Sequence, residues 1–376
     1  MTGFSNRKGI EFLRKEFGFT VRAFQNAGDF PGVRRISIER AGYFLELLPS
    51  KGLSIGTAFH HGTPIFWDPP LQNLPDPESV DLTGPLLVDG ESLPGMGWIR
   101  YFTGGVEMLG LRNWGMPRTD VATGEVLGLH GEVSTIPAAD IDVSIDPDIA
   151  TVSAQFDAPG GFRIIKRVSL LAHSPRVLIR DTILNRTSRE QIPDWGYHIQ
   201  LFPESGARYI VPSKARTTRN GGAVDGGFMI WEPATGPHRE ERGYLHVDPV
   251  VTRNEVIGGY GVTTLLRYPD GRGTSVTLPL SAYLLSWCSC GGAGSDEFLV
   301  PSGSDRRDGQ KVLERNWDGI GPELGSSSLD HNGLTSTGAV TDPLPPGGSL
   351  DITIAIESVE ASVATEMEAG SSSNRE

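Results

Sequence analysis

The chain has 376 residues, a formal net charge of −13 and two cysteines, and glycine plus proline make up about a fifth of it, against a usual eighth. So many helix breakers exclude a coiled coil and a helix bundle, and a hydrophobic share of 38% excludes a disordered chain. The acidic balance argues against partners such as nucleic acid or an anionic membrane, because both need clustered lysine and arginine. The composition favours many short strands joined by turns.

The N-terminal part of the chain changes its hydrophobic period near residue 36. Within residues 6–17, apolar side chains lie near helical spacing among Lys and Glu, which predicts a short helix in an N-terminal extension over 1–30. Beyond it, apolar residues recur at every second position on both sides of Ala41 and Gly42. This alternation predicts a β-hairpin.

The rest of the chain reads as strands and loops. Residues 68–95 are rich in Pro, Asp and Gly and predict a long loop of the kind that is often functional. We predict one all-β domain over 31–360, a large antiparallel sandwich, followed by a flexible, serine-rich tail over 361–376. The later predicted strands cover 150–156, 161–172, 177–184, 196–201, 208–211, 228–231, 263–268, 274–278, 282–288 and 350–359.

Cysteine usage and the N-terminus bear on location. Cys288 and Cys290 would share one face of a strand, so two half-buried thiols are expected rather than a disulfide. A low cysteine count fits a reducing compartment. The charged N-terminus lacks the apolar run of a signal peptide. The sequence contains no stretch of about 18 apolar residues, so we predict no membrane span. We therefore expect a cytoplasmic protein.

Histidines are the sharpest markers of acid–base chemistry, because imidazole changes charge near neutral pH. His130 lies in a Gly-Leu-His-Gly run at 128–131, where glycines suit a close approach of backbone or ligand, or simply a turn between strands. His198 and Gln200 would share one strand face opposite Tyr197, facing either solvent or a polar cavity. The other six are interpreted as exposed loop residues: His60, His61, His173, His238, His246 and His331.

Two further segments carry candidate binding residues. Trp98 and Arg100 lie among aromatics and glycines in 97–105, which suits stacking on a sugar and a forked bond to oxygens, or else a packed strand with one snorkelling arginine. Trp317 and Glu323 lie in the glycine-rich segment 316–325, where the glutamate is either a buried base or a solvated loop carboxylate. Neither His-x-His nor His-Glu-x-x-His occurs, so no local metal motif is readable.

The order of these motifs resembles a known family. The segments 48–56, 97–100, 104–111 and 128–131, followed by Tyr197-His198, are similar in order to the aldose 1-epimerase-like (galactose mutarotase-like) proteins, in particular the DUF4432 branch. The resemblance spans roughly 33–360 and implies a β-supersandwich fold without a cofactor. The element at 51–56 lacks the Arg and Asp that are usual there.

The resemblance implies a carbohydrate-active isomerase, a mutarotase acting on a sugar or sugar acid. In that family a glutamate draws the proton from the C1 hydroxyl while a histidine protonates the ring oxygen, and the ring opens and recloses. His130 and His198 match the two histidines, and Glu323 is the best match for the glutamate, although it follows Pro322 where the branch has Glu before Pro. Arg100 matches a sugar-binding arginine, and the further predicted sugar contacts are Trp98, Tyr197, Gln200 and Trp317.

Glycines at 104, 105, 128, 131 and 196 flank these residues and would leave room for the sugar. Two alternatives remain open at this point. A divalent metal at His130, His198 and Glu323, helped by His60 or His61, would make the chain a metal-dependent isomerase, epimerase or lyase on a keto-sugar. The second alternative is that the chain is a non-catalytic carbohydrate-binding or regulatory module. The expected partner is a small sugar, and the sequence leaves the oligomeric state open, a homodimer included.

Overall fold

The computed structural model describes residues 7–67, 69, 71, 73–88, 91–226, 228–233, 240–290, 318–337 and 341–373, and they form two large antiparallel sheets. The first eleven strands are β1 Arg7–Glu16, β2 Phe19–Asn26, β3 Arg35–Arg40, β4 Tyr43–Leu48, β5 Ser54–His60, β6 Thr63–Pro64, β7 Leu86–Val88, β8 Glu91–Leu93, β9 Val106–Leu109, β10 Arg118–Thr119 and β11 Val126–Leu127. The remaining strands are β12 Ala139–Ile145, β13 Ile149–Ala158, β14 Phe162–Leu171, β15 Arg176–Asn185, β16 Gly196–Ile199, β17 Arg208–Ile210, β18 Ser213–Thr218, β19 Phe228–Ile230, β20 Glu240–Pro249, β21 Thr252–Asn254, β22 Gly259–Arg267, β23 Gly273–Pro279, β24 Tyr283–Cys290, β25 Gly319–Gly325 and β26 Ser349–Val359. The helical elements are the 3-10 turns Pro49–Lys51, Pro77–Ser79, Gly97–Tyr101 and Val133–Thr135 and the α-helix α1 Ala361–Ser373.

Each of the two large sheets combines strands that are adjacent in the sequence with strands that are distant in it. The first sheet runs β1-β2-β3-β4-β5-β9-β16-β25-β24-β20-β18, with β6 beside β5. The second runs β12-β13-β14-β15-β26-β23-β22-β17-β19, with β21 beside β22. Two small hairpins, β7–β8 and β10–β11, lie outside them. The all-β, antiparallel sandwich predicted for this chain is confirmed, including the hairpin that turns at Ala41 and Gly42.

Around β16, both faces of the first sheet are covered, and successive side chains of the strand alternate between them. On β16, Tyr197 and Ile199 belong to the main core with residues of the second sheet, such as Ile164 and Ile354. The opposite face carries a second, largely aromatic cluster under the loops: Trp67, Trp98, Phe102, Leu109, Trp114, Leu129, Leu245, Tyr283, Leu285, Trp287 and Leu329. His198 faces that second cluster, because successive residues of a strand point to opposite sides.

The predicted short N-terminal helix is wrong: residues 7–16 form the edge strand β1. Its pairing with β2 through a two-residue turn overrides the local helical spacing. That turn consists of Phe17 and Gly18, with φ of 49° and 80°, the positive values that a tight hairpin of this hand needs. Asn-Gly is the usual marker of such a turn, so Phe-Gly hides it from sequence inspection.

The C-terminus also differs from the predicted flexible tail. Helix α1 follows β26 directly, and its first turns are rich in Ala, Glu and Met, which favour helix. Ala364 packs against Ile210 and Leu265, and Glu368 forms ion pairs with Arg208 and Arg267. Tertiary contacts therefore hold this segment on the second sheet. Among the described residues, no helix is both long enough and apolar enough to cross a membrane.

Candidate active site

Three neighbouring strands of the first sheet place a histidine between two carboxylates. His198 on β16 is the cross-strand partner of Glu107 on β9 and of Glu323 on β25. Side chains directly opposite in adjacent strands lie on the same face. Nε2 of His198 lies 3.1 Å from Oε1 of Glu323. Sheet register therefore brings together residues that are far apart in the chain.

His130 reaches the same place from a loop. Its backbone is left-handed, with φ of 60°, and its N–H donates to the Gly115 carbonyl at 2.9 Å while its carbonyl accepts from Gly110 at 3.0 Å. A non-glycine residue in this conformation is held there by its surroundings, and such residues concentrate at functional sites. The rings of His130 and His198 lie 5.7 Å apart between centroids.

The three predicted catalytic residues thus meet, and we call His130, His198 and Glu323 the His–His–Glu cluster. One ligand-capable atom from each lies within 4.8 Å of the others, and the side chains belong to residues that are 5%, 3% and 3% exposed. His60 and His61, considered as further ligands, instead contact each other and Tyr43, and they are not part of the group.

Both histidines of the cluster have one ring nitrogen fixed by an oxygen. Nδ1 of His130 lies 2.7 Å from the Trp114 carbonyl, which can only accept, so this nitrogen carries the hydrogen. Nδ1 of His198 donates to the side-chain oxygen of Gln200 at 2.7 Å, and the Gln200 amide nitrogen donates in turn to the carbonyls of Gly104 and Gly105 at 2.8 Å. In each ring, Nδ1 is thus bonded outside the cluster, and Nε2 is the nitrogen that can interact within it.

The electrostatics separate the protonation states of the cluster. Burial alone would raise the pKa of the Glu323 carboxyl, but the charge and hydrogen bond of His198, with His130 and Arg219, lower that pKa to about 2. Burial lowers the pKa of His130 to about 4, so its Nε2 carries a free lone pair at neutral pH. His198 has the Gln200 side-chain oxygen at Nδ1 and Oε1 of Glu323 at Nε2, so both nitrogens of its protonated form have an acceptor.

Aromatic rings enclose the cluster. Trp98 lies 4.4 Å from His130 and 6.1 Å from His198 between ring centroids, and Phe102 and Trp287 lie 5.0 and 4.8 Å from His198. Trp98 comes from the 3-10 turn Gly97–Tyr101, which we call the cover segment.

Two charged residues that sequence inspection missed, Lys51 and Glu107, hold the end of the cover segment and the residues directly after it. Oε1 of Glu107 accepts from the backbone of Thr103 and Gly104 at 3.2 and 2.7 Å and pairs with Nζ of Lys51 at 3.1 Å. Lys51 also donates to the Tyr101 carbonyl. The only sequence signal for Glu107 is that it is a single carboxylate in the otherwise apolar strand Val106–Leu109. Its importance depends on register with His198, which local sequence does not show.

The predicted sugar contacts do not all reach the cluster. Arg100 donates to the Pro85 carbonyl at 2.8 Å in an exposed position, and no described contact links it to the histidines. Tyr197 lies on the opposite face of β16, where its hydroxyl donates to Asp181. Gln200 is at the site but orients His198 rather than presenting itself to a ligand. Trp98 lines the cluster, and Trp317 lies outside the described residues.

The interpretation of the flanking glycines as room for a sugar is wrong. A Cβ at Gly196 would lie 2.3 Å from the Trp114 ring, and one at Gly128 would lie 2.5 Å from the Leu82 carbonyl oxygen. Gly104, Gly105 and Gly131 are blocked in the same way. These glycines let protein atoms pack closely around the cluster, which is why it is closed in this structure.

The comparisons with known proteins agree with this fold. The model of a family described as a domain of unknown function, DUF4432, matches residues 31–256. A proposed aldose 1-epimerase of Klebsiella pneumoniae has 16% identity and a TM-score of 0.70, covering 95% of this chain and 88% of its own. A proposed mutarotase of Salmonella typhimurium has 11% identity, covering 93% and 96%, with a TM-score of 0.56. A galactose mutarotase-like protein of Clostridium acetobutylicum has 12% identity, covering 87% and 96%, with a TM-score of 0.52. A comparison with curated proteins gives no match. At these identities the structures show a shared fold and no more.

Proposed function

This chain belongs to the DUF4432 family, and we propose that it is a carbohydrate-active isomerase of the aldose 1-epimerase kind. The observation that carries the proposal is the His–His–Glu cluster, in which a buried carboxylate lies 3.1 Å from Nε2 of His198 and beside a second histidine that is neutral at neutral pH. General acid–base catalysis needs an acid and a base held near one reacting centre. The proteins of similar fold are described as a proposed aldose 1-epimerase, a proposed mutarotase and a galactose mutarotase-like protein, and they support this choice of reaction class.

The proposed reaction moves two protons and leaves the sugar's composition unchanged. Glu323 takes the proton of the C1 hydroxyl while His198 gives its Nε2 proton to the ring oxygen, and the bond between C1 and the ring oxygen breaks. The open-chain aldehyde rotates about its C1–C2 bond, and the same two protons return as the ring recloses on the other face. Oε2 of Glu323, which has no hydrogen-bond partner among the described residues, is the oxygen available to the substrate.

His130 has a different part in this proposal. Its Nδ1–H is held by the Trp114 carbonyl, so Nε2 can accept a hydrogen bond from a sugar hydroxyl and fix the substrate's orientation. The ring faces of Trp98 and Trp287 suit the apolar faces of a sugar. The cluster is closed, and in this proposal the cover segment, which lies outside the sheets, moves to admit the sugar.

The test is anomer interconversion, followed by NMR or polarimetry on a panel of aldoses and sugar acids. We expect the wild type to accelerate one of them and Glu323→Gln to lower that rate by about 10²–10⁴-fold, because the amide cannot take a proton. His173→Asn is the matched control, since His173 is exposed and its side chain pairs with Asp148, away from the cluster. If the wild type accelerates no sugar on the panel, the proposed reaction is wrong. Calorimetric binding without turnover would then favour a carbohydrate-binding module.

A further inference from the structure

We propose that the His–His–Glu cluster binds one divalent transition-metal ion of the zinc class. The inference rests on the proposed function only in taking these three side chains as the functional centre. It adds a cofactor to that centre. Two imidazoles and one carboxylate are a donor set that catalytic zinc sites use, with a further position open to water or substrate.

The hydrogen bonds around the two histidines are those of metal ligands. A histidine that binds a metal through one nitrogen almost always donates its other N–H to a carbonyl or carboxylate, which fixes the tautomer and aims the lone pair. His130 does so to the Trp114 carbonyl and His198 to the Gln200 side-chain oxygen. Gln200 is itself held by two backbone carbonyls, so both supports are rigid.

The spacing of the three groups is close to that of a coordinated ion. Bonds of 2.0–2.1 Å at a tetrahedral angle put ligand atoms roughly 3.3 Å apart. Nε2 of His198 and Oε1 of Glu323 are already 3.1 Å apart. One ligand-capable atom of each of the three residues lies within 4.8 Å of the other two. Atoms at that 4.8 Å limit would have to approach by roughly 1.5 Å, a small side-chain adjustment.

Burial also suits an ion better than an empty cluster. The second carboxylate oxygen of Glu323 is buried without a hydrogen-bond partner among the described residues, which costs free energy unless a further group binds it. A small-molecule site needs a cavity of roughly 300–1,000 Å³, whereas an ion needs only the space between its ligands. The closed state can therefore hold an ion, and a sugar would join it after the cover segment opens.

The ion and the transferred protons would use the same lone pairs. Binding of the ion displaces the Nε2 proton of His198 and occupies the oxygen of Glu323, so proton transfer by these two groups stops while the ion is bound. A bound ion could instead polarise a substrate oxygen as a Lewis acid. Activity measured with and without metal therefore separates the two chemistries.

The binding test uses the full, tag-free chain, stripped with EDTA and titrated with Zn²⁺ and, separately, with Mg²⁺. We expect one Zn²⁺ per chain by elemental analysis after gel filtration, and no retained Mg²⁺, which prefers an all-oxygen site. Co²⁺ loading should give the visible absorption of a four-coordinate nitrogen–oxygen site without a thiolate charge-transfer band. Absence of stoichiometric Zn²⁺ would overturn the inference.

Variants assign the site. His130→Ala should weaken Zn²⁺ binding by more than the 10–100-fold that is typical of an outer-shell change, and Gln200→Ala should fall within that range. The control is the double variant Cys288→Ser and Cys290→Ser, because these buried thiols lie 3.6 Å apart and could hold zinc themselves. If the cysteine variant loses zinc while His130→Ala keeps it, the inference is wrong. The Co²⁺ spectrum of the wild type decides the case in which His130→Ala does not fold.

Activity then distinguishes this inference from the proposed function. Stripped protein that interconverts anomers and is slowed by Zn²⁺ supports both, with the ion as an inhibitor. Stripped protein that is inactive and is restored by Zn²⁺ supports the metal site and overturns proton transfer by the side chains alone. Active protein that binds no Zn²⁺ overturns the metal site and leaves the proposed function standing.

Discussion

Two buried histidines on the first sheet differ in what their ring nitrogens contact. His246, on β20, has Ser213 Oγ on Nδ1 at 2.9 Å and Ser286 Oγ on Nε2 at 3.0 Å. Hydroxyls donate and accept, so either tautomer of His246 is satisfied and no lone pair is aimed at an empty position. His198 has an amide oxygen on one nitrogen and a carboxylate on the other.

This contrast in ring contacts distinguishes a structural histidine from a reactive one when both are buried. Acceptor-only partners fix the proton of a ring nitrogen, and a charged partner on the second nitrogen makes transfer of its proton chemically useful. Burial alone does not distinguish them, since His246 is 2% exposed and His198 is 3% exposed. The interpretation of His246 as an exposed loop residue is wrong, because it lies in the strand Glu240–Pro249.

Replacing each of these two histidines by asparagine should separate their roles most clearly. His198→Asn should lower anomer interconversion by about 10²–10⁴-fold, because the amide cannot deliver a proton to the ring oxygen. His246→Asn should leave the rate per folded molecule unchanged and lower the free energy of unfolding by about 1–3 kcal/mol, the cost of buried hydroxyls that lose a partner. Rates are measured well below the unfolding temperature, and stability by urea denaturation. Equal loss of rate in both variants would remove the distinction drawn between them.

A smaller effect is expected at Gln200, a positioning residue. Gln200→Ala removes the oxygen that fixes the Nδ1–H of His198, so kcat should fall by about 10–100-fold while KM changes little. Gln155→Ala is the matched control, because its amide donates to Asp140 in an exposed position. A rise in KM with kcat unchanged would show that Gln200 binds the substrate directly, as the sequence first suggested.

The fold was largely predictable from the sequence, because alternation along single strands is local. The strand at 350–359 and the hairpin at Ala41 and Gly42 follow from a period of two. The edge strand β1 was not predictable in this way, since its pairing with β2 overrides a helical spacing.

Residues of the candidate site were predictable only where they lie in a recognisable sequence motif. Gly-Leu-His-Gly and Tyr-His marked His130 and His198, whereas Glu107 and Lys51 depend on register and on loop packing that no local pattern carries. Alternation already placed Tyr197 and His198 on opposite faces of one strand. The assignment of Tyr197 as a sugar contact went against that rule.

Substitution of Tyr197, the neighbour of His198, should change the rate of anomer interconversion least. Tyr197 donates its hydroxyl to Asp181, which also accepts from Lys166, in a buried cluster between the two sheets. Tyr197→Phe removes a hydrogen bond to a charged group, so the free energy of unfolding should fall by about 1.5–3 kcal/mol. The rate of anomer interconversion should stay within a factor of about two, because the hydroxyl faces away from the His–His–Glu cluster. Unfolding in urea and the initial rate are measured on the same preparation. A large loss of rate with unchanged stability would place Tyr197 at the substrate after all, and would mean that the two faces of β16 are not as independent as alternation requires.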